Sequence, residues 1–316
     1  MKKYTFEEIN YIKNNYYIMS AKEIADYLNR PVGSIQDKIS ELGLSKAGAK
    51  NSAWTDEQIN ILKSNYQVLS YSQLCELIGK TEKAIKIKAH KLGIKKNPIY
   101  FNHDAFCKIM NEDDAYWLGF MFADGYVVKR DKFSYFGIEL RKSDISHLRK
   151  FNIYLNGNLE IYTRHRESQI EGRDVSYDTA SILVTSDKIV DNLIHHGCIP
   201  RKSFVIDKPI DIRDDLIIPF IRGYFDGNGS FGIYNNGQYD VVKFNISCAS
   251  IKFLEWIKEY LLCYNIKTNI VKDRNSYKLS GSSKSAKIFI DMIYNNSSTY
   301  LDRKYKKYIE MRPVLQ

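Results

Sequence analysis

The sequence predicts an α+β protein built by duplication: two small three-helix modules, followed by two halves that each run α-β-β-α-β-β-α. Two repeats carry that reading. A nine-residue pattern occurs twice without a gap, from Trp117 to Gly125 (W-L-G-F-M-F-A-D-G) and from Ile221 to Gly229 (I-R-G-Y-F-D-G-N-G). The first hundred residues repeat at an offset of 50, so that Tyr4-Thr5-x-Glu7-x-Ile9-Asn10 returns as Trp54-Thr55-x-Glu57-x-Ile59-Asn60. A chain of 316 residues, 44% hydrophobic and 27% charged, has the composition of a soluble globular protein of two or three domains.

The N-terminal elements come first. Thr5 and Thr55 are N-caps, and Glu8 and Gln58 three residues later complete capping boxes. Ile9, Ile12 and Tyr16, or Ile59, Leu62 and Tyr66, then fall at helical spacing. Ser20 and Ser70 are placed to cap a second helix. Pro31 or Thr81 opens a third, which Gly43 or Gly93 closes. The expected modules are residues 1–45 and 54–97. Between them, the small, polar and basic stretch Ser45 to Ala53 sets a flexible linker at 46–53. Three short helices around an aliphatic and aromatic core resemble helix-turn-helix modules of the Myb/SANT type. That resemblance makes the third helix the reader, with Ser34, Gln36 and Lys38, or Lys83, Lys86 and Lys88, facing outward to phosphates and base edges. Residues 1–110 hold 17 Lys and Arg against 11 Asp and Glu, which favours DNA, although SANT-like units also bind proteins.

A second linker is expected at 98–110, then halves at 111–208 and 209–316. Each nonapeptide ends a helix, one starting near Asn111 and the other near Asp215. A mid-helix glycine costs about 1 kcal/mol against alanine, so Gly119 and Gly223 need a reason. With Ala123 and Gly227 they give small residues four apart on one helix face, which allows two helix backbones to pack closely. Gly125 and Gly229 then break each helix into a strand. In the first half strands follow near 125–128, 133–140, 159–166 and 177–184, with helices near 143–155 and 187–196. In the second half strands follow near 230–234, 241–247, 267–272 and 276–280, with helices near 251–263 and 283–294. Both halves end in a basic segment, at Arg201-Lys202 and Arg303-Lys304. Alternation puts Tyr135, Glu139 and Arg141 opposite Phe136, Ile138 and Leu140. It puts Glu160, Tyr162 and Arg164 opposite Leu159 and Ile161, and Lys243, Asn245 and Ser247 opposite Val242, Phe244 and Ile246. Those polar faces suit either groove readout or plain solvation.

The two nonapeptides, the strand order between them and the basic tails together resemble the LAGLIDADG homing endonucleases in their single-chain, two-motif form, over roughly residues 111 to 310. The resemblance implies two four-stranded sheets forming a β-saddle over double-stranded DNA at a long, pseudo-asymmetric site. The motif helices would form the seam, and the polar strand faces would be the readers. It implies Mg²⁺ or another divalent cation at the last acidic position of each motif, and a role in intron or intein mobility. Asp124 matches that position, with carbonyls of Ala123 and Gly227 beside it and Lys202 and Lys304 as basic partners. Asn228 departs from the pattern. An amide oxygen still coordinates a cation but brings no charge, so the expected enzyme is impaired or nicks one strand. A deliberate substitution, a natural slow enzyme and a natural binder all fit this residue. Asp226, two residues earlier, matches Phe122 in the first copy and is expected to face the core rather than the metal.

The net charge of +10 and pI of about 9.1 favour a polyanionic partner. Lys-rich composition is also what an AT-rich genome produces. Cys75, Cys107, Cys198, Cys248 and Cys263 form no C-x-x-C pair, which argues against a zinc cage or a disulfide framework. No apolar run reaches the roughly 18 residues of a membrane helix, so a cytoplasmic monomer is expected, or a nuclear or organellar one in a eukaryote. Gly232-Ile233-Tyr234 lacks the partner motif of GIY nucleases, and His195-His196 reads as helix-end or surface histidines. A different class remains open: a non-catalytic nucleic-acid binder, either an intron RNA maturase or a transcriptional regulator.

Overall fold

The computed structural model describes every residue except 1–3, 17–18, 45–53, 68, 70, 171–172, 236, 238 and 316. The expected linker at 46–53 and the expected cap Ser70 lie outside the described residues. The chain divides into two compact units, residues 1–96 and residues 97–316.

The first unit holds α1 (Phe6–Asn15), α2 (Ala21–Leu28), α3 (Val32–Glu41), α4 (Asp56–Asn65), α5 (Tyr71–Ile78) and α6 (Glu82–Lys91). Both expected capping boxes form: the Thr5 and Thr55 side chains accept from Glu8 and Gln58 N–H groups at 3.2 and 3.1 Å. Ser20 forms another with Glu23. Pro31 is an extended N-cap rather than the first helical residue (φ −60, ψ 140), and Thr81 takes the same place with a side-chain cap to Ala84. Gly43 and Gly93 sit at φ +62 and +67, the left-handed conformation that ends a helix without a Cβ penalty. Each module closes its own core, around Ile12, Ile24 and Ile35 in one and Leu62, Leu74 and Ile85 in the other.

The second unit opens with residues that were expected to be a linker. Ala105, Phe106 and Ile109 are buried there, and Asn192 donates to the Ala105 carbonyl at 3.0 Å. Its first half runs α7 (Glu112–Ala123), β1 (Gly125–Val128), β2 (Tyr135–Arg141), α8 (Ile145–Tyr154), β3 (Tyr162–Ile170), β4 (Arg173–Thr185) and α9 (Asp187–His195). The second half runs α10 (Ile217–Asn228), β5 (Gly229–Asn235), β6 (Asp240–Cys248), α11 (Ile251–Leu262), β7 (Asn269–Asp273), β8 (Ser276–Ser282) and α12 (Ser283–Tyr294), with α13 (Asp302–Leu315) added. The antiparallel sheets are ordered β1-β2-β4-β3 and β5-β6-β8-β7. Each buries one face under its helices, and one continuous apolar core joins the two halves.

Three expectations need correction. The third strand begins at Tyr162 rather than Leu159, because Asn152 takes both backbone groups of Leu159 with its side-chain amide, at 2.9 and 3.0 Å. Glu160 therefore precedes the strand. The second motif helix begins at Ile217 after a 3₁₀ turn over Asp214–Leu216, where Asp215 is held by Arg213 at 2.7 Å. The terminal basic segment is the start of α13, a helix anchored by buried Tyr308, Met311 and Leu315.

The seam is α7 against α10. A Cβ on Gly119 would overlap the Phe220 carbonyl oxygen, and one on Gly223 would overlap the Tyr116 carbonyl oxygen. Backbone lies on backbone in both directions. A Cβ on Gly227 would likewise overlap that of Ala123.

Candidate active site and nucleic-acid interface

The seam places Asp124 directly after the last turn of α7, where its N–H still donates to Phe120 O at 3.0 Å. The position a Cβ would take on Gly227 is 3.1 Å from Asp124 Oδ2, so Ala123, Asp124 and Gly227 meet across the two helices. Asn228 ends α10, and its Nδ2 donates to the Tyr224 hydroxyl at 3.2 Å.

The two lysines take equivalent places. Buried Lys202 donates to the carbonyl of Gly125, and buried Lys304 donates to the carbonyl of Gly229 at 2.6 Å, each the closing glycine of its own motif. Lys304 also reaches the carbonyls of Phe225 at 2.5 Å and Asp226 at 2.9 Å. Burial pushes both ammonium groups down, Lys304 to about 8, while Asp124 pulls each of them back up. Arg303 is tied to Asp144 at 3.0 Å.

Asp124 is a half-buried carboxylate that accepts no hydrogen bond from any described residue. Burial raises its pKa, and Lys304, Lys202 and Arg303 oppose the rise. An anion with no donor in a partly dry site is a place for a cation. No cluster of three or more His, Cys, Asp or Glu able to hold a metal occurs among the described residues. The donors expected here are one carboxylate, one amide oxygen and two main-chain carbonyls. That all-oxygen set fits Mg²⁺ or Ca²⁺ and not zinc.

Asp226 goes elsewhere, as its alignment with Phe122 suggested. It is fully buried and accepts from Tyr116 Oη at 2.7 Å, Tyr294 Oη at 2.6 Å and the Leu301 N–H at 2.7 Å. Tyr116 is also bonded to buried His147 at 3.1 Å, whose pKa desolvation lowers to about 3. Sequence reasoning missed this hub because Tyr116, Tyr294 and Leu301 are distant in the chain.

The exposed sheet faces hold the other expected residues. Glu139, Ser181 and Tyr162 form one cross-strand row, and Arg141, Thr179 and Arg164 the next. Arg141 stacks over Tyr177 at 3.8 Å, and Glu139 is held by Arg166 at 2.7 Å. Tyr135 packs against the ring of Tyr126. In the second sheet Asn245 accepts from Ser280 Oγ at 2.7 Å, Lys243 lies 5.7 Å from the Tyr234 ring, and Ser247 is half-buried beside Lys278. Arg166 and Tyr177 were missed, although the two-residue alternation from Arg164 points to Arg166.

In the first unit three placements differ from expectation. Ser34 faces inward to Tyr4 Oη at 2.8 Å. Lys38 is mostly covered, paired with Glu41 at 3.0 Å and 5.4 Å from the Tyr4 ring. Lys88, its repeat partner, lies likewise 5.7 Å from the Trp54 ring. Gln36, Lys83 and Lys86 are exposed, with Lys86 also paired to Glu82 at 2.5 Å. The two histidines also differ from a simple surface pair. His195 meets Asp211 at 2.6 Å, and His196 is buried between the carbonyls of Ile210 and Phe106.

The fold and seam define a pseudo-symmetric protein with two copies of one α/β unit in one chain. The model of the LAGLIDADG-like domain matches residues 111–196 and 215–294, more than half of the chain. The chain belongs to the LAGLIDADG-like domain family, with two copies of the domain in one chain. Similar solved structures include the meganuclease I-SmaMI bound to uncleaveable DNA (TM-score 0.42, 15% identity, 63% of this chain and 89% of that one). Another is the I-LtrWI LAGLIDADG homing endonuclease bound to target DNA (TM-score 0.43, 16% identity, 65% and 90%). Two uncharacterized proteins of Listeria innocua serovar 6a, Lin2408 and Lin1255/Lin1742, are each 44% identical over 55 residues, or 17% of this chain. The match spans 67% of the first and 23% of the second. Among the described residues no helix is long and apolar enough to cross a membrane.

Proposed function

We propose that this chain is a monomeric, divalent-metal-dependent endonuclease that binds double-stranded DNA at a long, pseudo-asymmetric site and cuts one strand far faster than the other. The observation that carries the reading is the Asp124 carboxylate, held without a donor at the seam between two buried lysines that each grip the closing glycine of a motif.

Asp124, Asn228 and the carbonyls of Ala123 and Gly227 would hold the cation. When bound, it would lower the pKa of a water molecule and neutralise charge on the scissile phosphate. Lys202 and Lys304 bring positive charge to the same place. Lys304 is held there as a fixed cation by the carbonyls of Phe225, Asp226 and Gly229. With Asn228 neutral, the seam keeps two cations against one carboxylate, which favours phosphate binding and weakens the hold on metal. The sheet faces carrying Arg141, Arg164 and Lys243 suit a duplex groove, and the α6 face with Lys83 and Lys86 suits phosphates.

A supercoiled plasmid carrying a selected target, incubated with Mg²⁺, tests this. The parent is expected to give nicked circles and Asn228→Asp linear product, at least about tenfold faster, the rate equivalent of about 1.4 kcal/mol of transition-state stabilisation. Asp124→Asn should give neither product. If Asn228→Asp cleaves no better than the parent, the assignment of residue 228 fails. The missing carboxylate at Asn228 also favours a second reading, a binder that no longer cuts. That reading predicts tight binding to duplex DNA or intron RNA with no nicking by the parent, and a gel-shift comparison of the two nucleic acids separates its forms.

A further inference from the structure

The two sheets are unequal in reach. In the second half β6 pairs with β8 as far as Cys248↔Tyr277, and only one β7–β8 pair, Asp273↔Ser276, lies beyond it. In the first half β2 stops at Arg141↔Thr179, while β3 and β4 continue for six further pairs, from His165↔Asp178 to Ile170↔Arg173. The difference of five pairs, at about 3.3 Å per residue, is roughly 17 Å of extra arm. At about 3.4 Å per base pair along a duplex, that length corresponds to about five base pairs.

The arm is also sorted by charge. Directly opposed residues in antiparallel strands share a face. Arg164 with Thr179 and Arg166 with Tyr177 continue the face that begins at Arg141. The reverse face carries Glu167 with Ser176, Asp174, and Asp178 held by His165 at 2.8 Å. Cations therefore line one side of the ribbon and carboxylates the other. On the cationic side Glu139 is the exception, and Arg166 engages it.

We infer that the β3–β4 ribbon is an added reading arm, which makes the half-site under the first domain about five base pairs longer than the other, with Arg166 and Tyr177 on the inner of the added positions. This rests on the DNA-binding reading above. The ribbon's width and one-sided charge match a major groove, and a two-stranded ribbon fits that groove.

The test is hydroxyl-radical footprinting of the full chain on a duplex recovered by selection from a randomised library. It is repeated with residues 166–177 replaced by Asn-Gly, and with the point variants Arg166→Gln and Glu167→Gln. The shortened arm should lose protection over about five outer base pairs on one side only, with the central protection unmoved. Arg166→Gln should weaken the inner part of that same flank, and Glu167→Gln on the reverse face should leave it intact. Protection that is unchanged in the shortened arm and in Arg166→Gln, or lost equally on both sides, overturns the arm. If the shortened arm does not fold, the two point variants decide on the same criterion. A parent with no footprint on any duplex overturns the DNA-binding reading, and the arm with it.

Discussion

Two aspartates of the seam show how differently one residue type is used. Asp226 is fully buried and receives two phenols and a backbone N–H, and these bonds dock the start of α13, from which Lys304 reaches the site. Asp124 is half-buried and receives none from any described residue. Breaking a buried, hydrogen-bonded charge leaves its partners unsatisfied and costs about 3–5 kcal/mol, whereas removing a half-buried charge that holds no hydrogen bond leaves no partner unsatisfied and costs little. Asp226→Ala is therefore expected to lower stability in urea unfolding by about 3 kcal/mol or more, and Asp124→Asn to change it by less than about 1 kcal/mol while abolishing cleavage. Equal losses from both substitutions would refute this division. Asp124 was legible in the sequence because the motif frame marks it. Asp226 was legible only as a core position, through its alignment with Phe122. Its donors Tyr116, Tyr294 and Leu301 lie 110, 68 and 75 residues away in the chain, and no local pattern points to them.

At the scale of elements, the glycines separate two uses of the same residue. Gly119 and Gly223 lie where a methyl group would meet the facing helix's carbonyl oxygens, and backbone cannot step aside as a side chain can. Gly33 sits in the first turn of α3 with nothing within 4 Å of its would-be Cβ. Gly119→Ala and Gly223→Ala should each cost about 3 kcal/mol or more, and Gly33→Ala should gain about 0.5–1 kcal/mol. Thermal unfolding followed separately for the two units reads each effect on its own core. A tolerated Gly119→Ala would show that the seam can open. Most elements were legible because their signals are local: Thr5 and Thr55 announce α1 and α4, and period-two alternation from Val242 to Ser247 announces β6. The start of β3 was not, since it depends on Asn152 clamping Leu159 from the preceding helix. Nor was the inward turn of Ser34 and Lys38, which Tyr4 draws from the other end of the module. The helical pattern of α13 was hidden in a run dominated by lysine and tyrosine.

At the scale of the whole molecule, the described residues form three separate hydrophobic cores, one for each small module and one for residues beyond 97. The last includes both motif helices and everything gathered around Asp124, so the site is complete within the second unit. The expected contribution of the first unit is affinity. Two modules tethered to a second binding surface raise its occupancy through effective concentration without new contacts at the seam. The exposed Lys83, Lys86 and Lys91 of α6 suit phosphates, a sequence-independent term that weakens as salt rises. Removal of residues 1–97 is therefore expected to weaken binding to the selected duplex by about 10²–10⁴-fold and to flatten its salt dependence. The nick itself should stay at the same phosphodiester, because its position is set by where Asp124 meets the seam. Gel shift across a salt series and primer-extension mapping of the nick measure the two quantities on one preparation. A truncated protein that nicks at a different position would show that the N-terminal modules set the register, and the separation of affinity from cutting would fall.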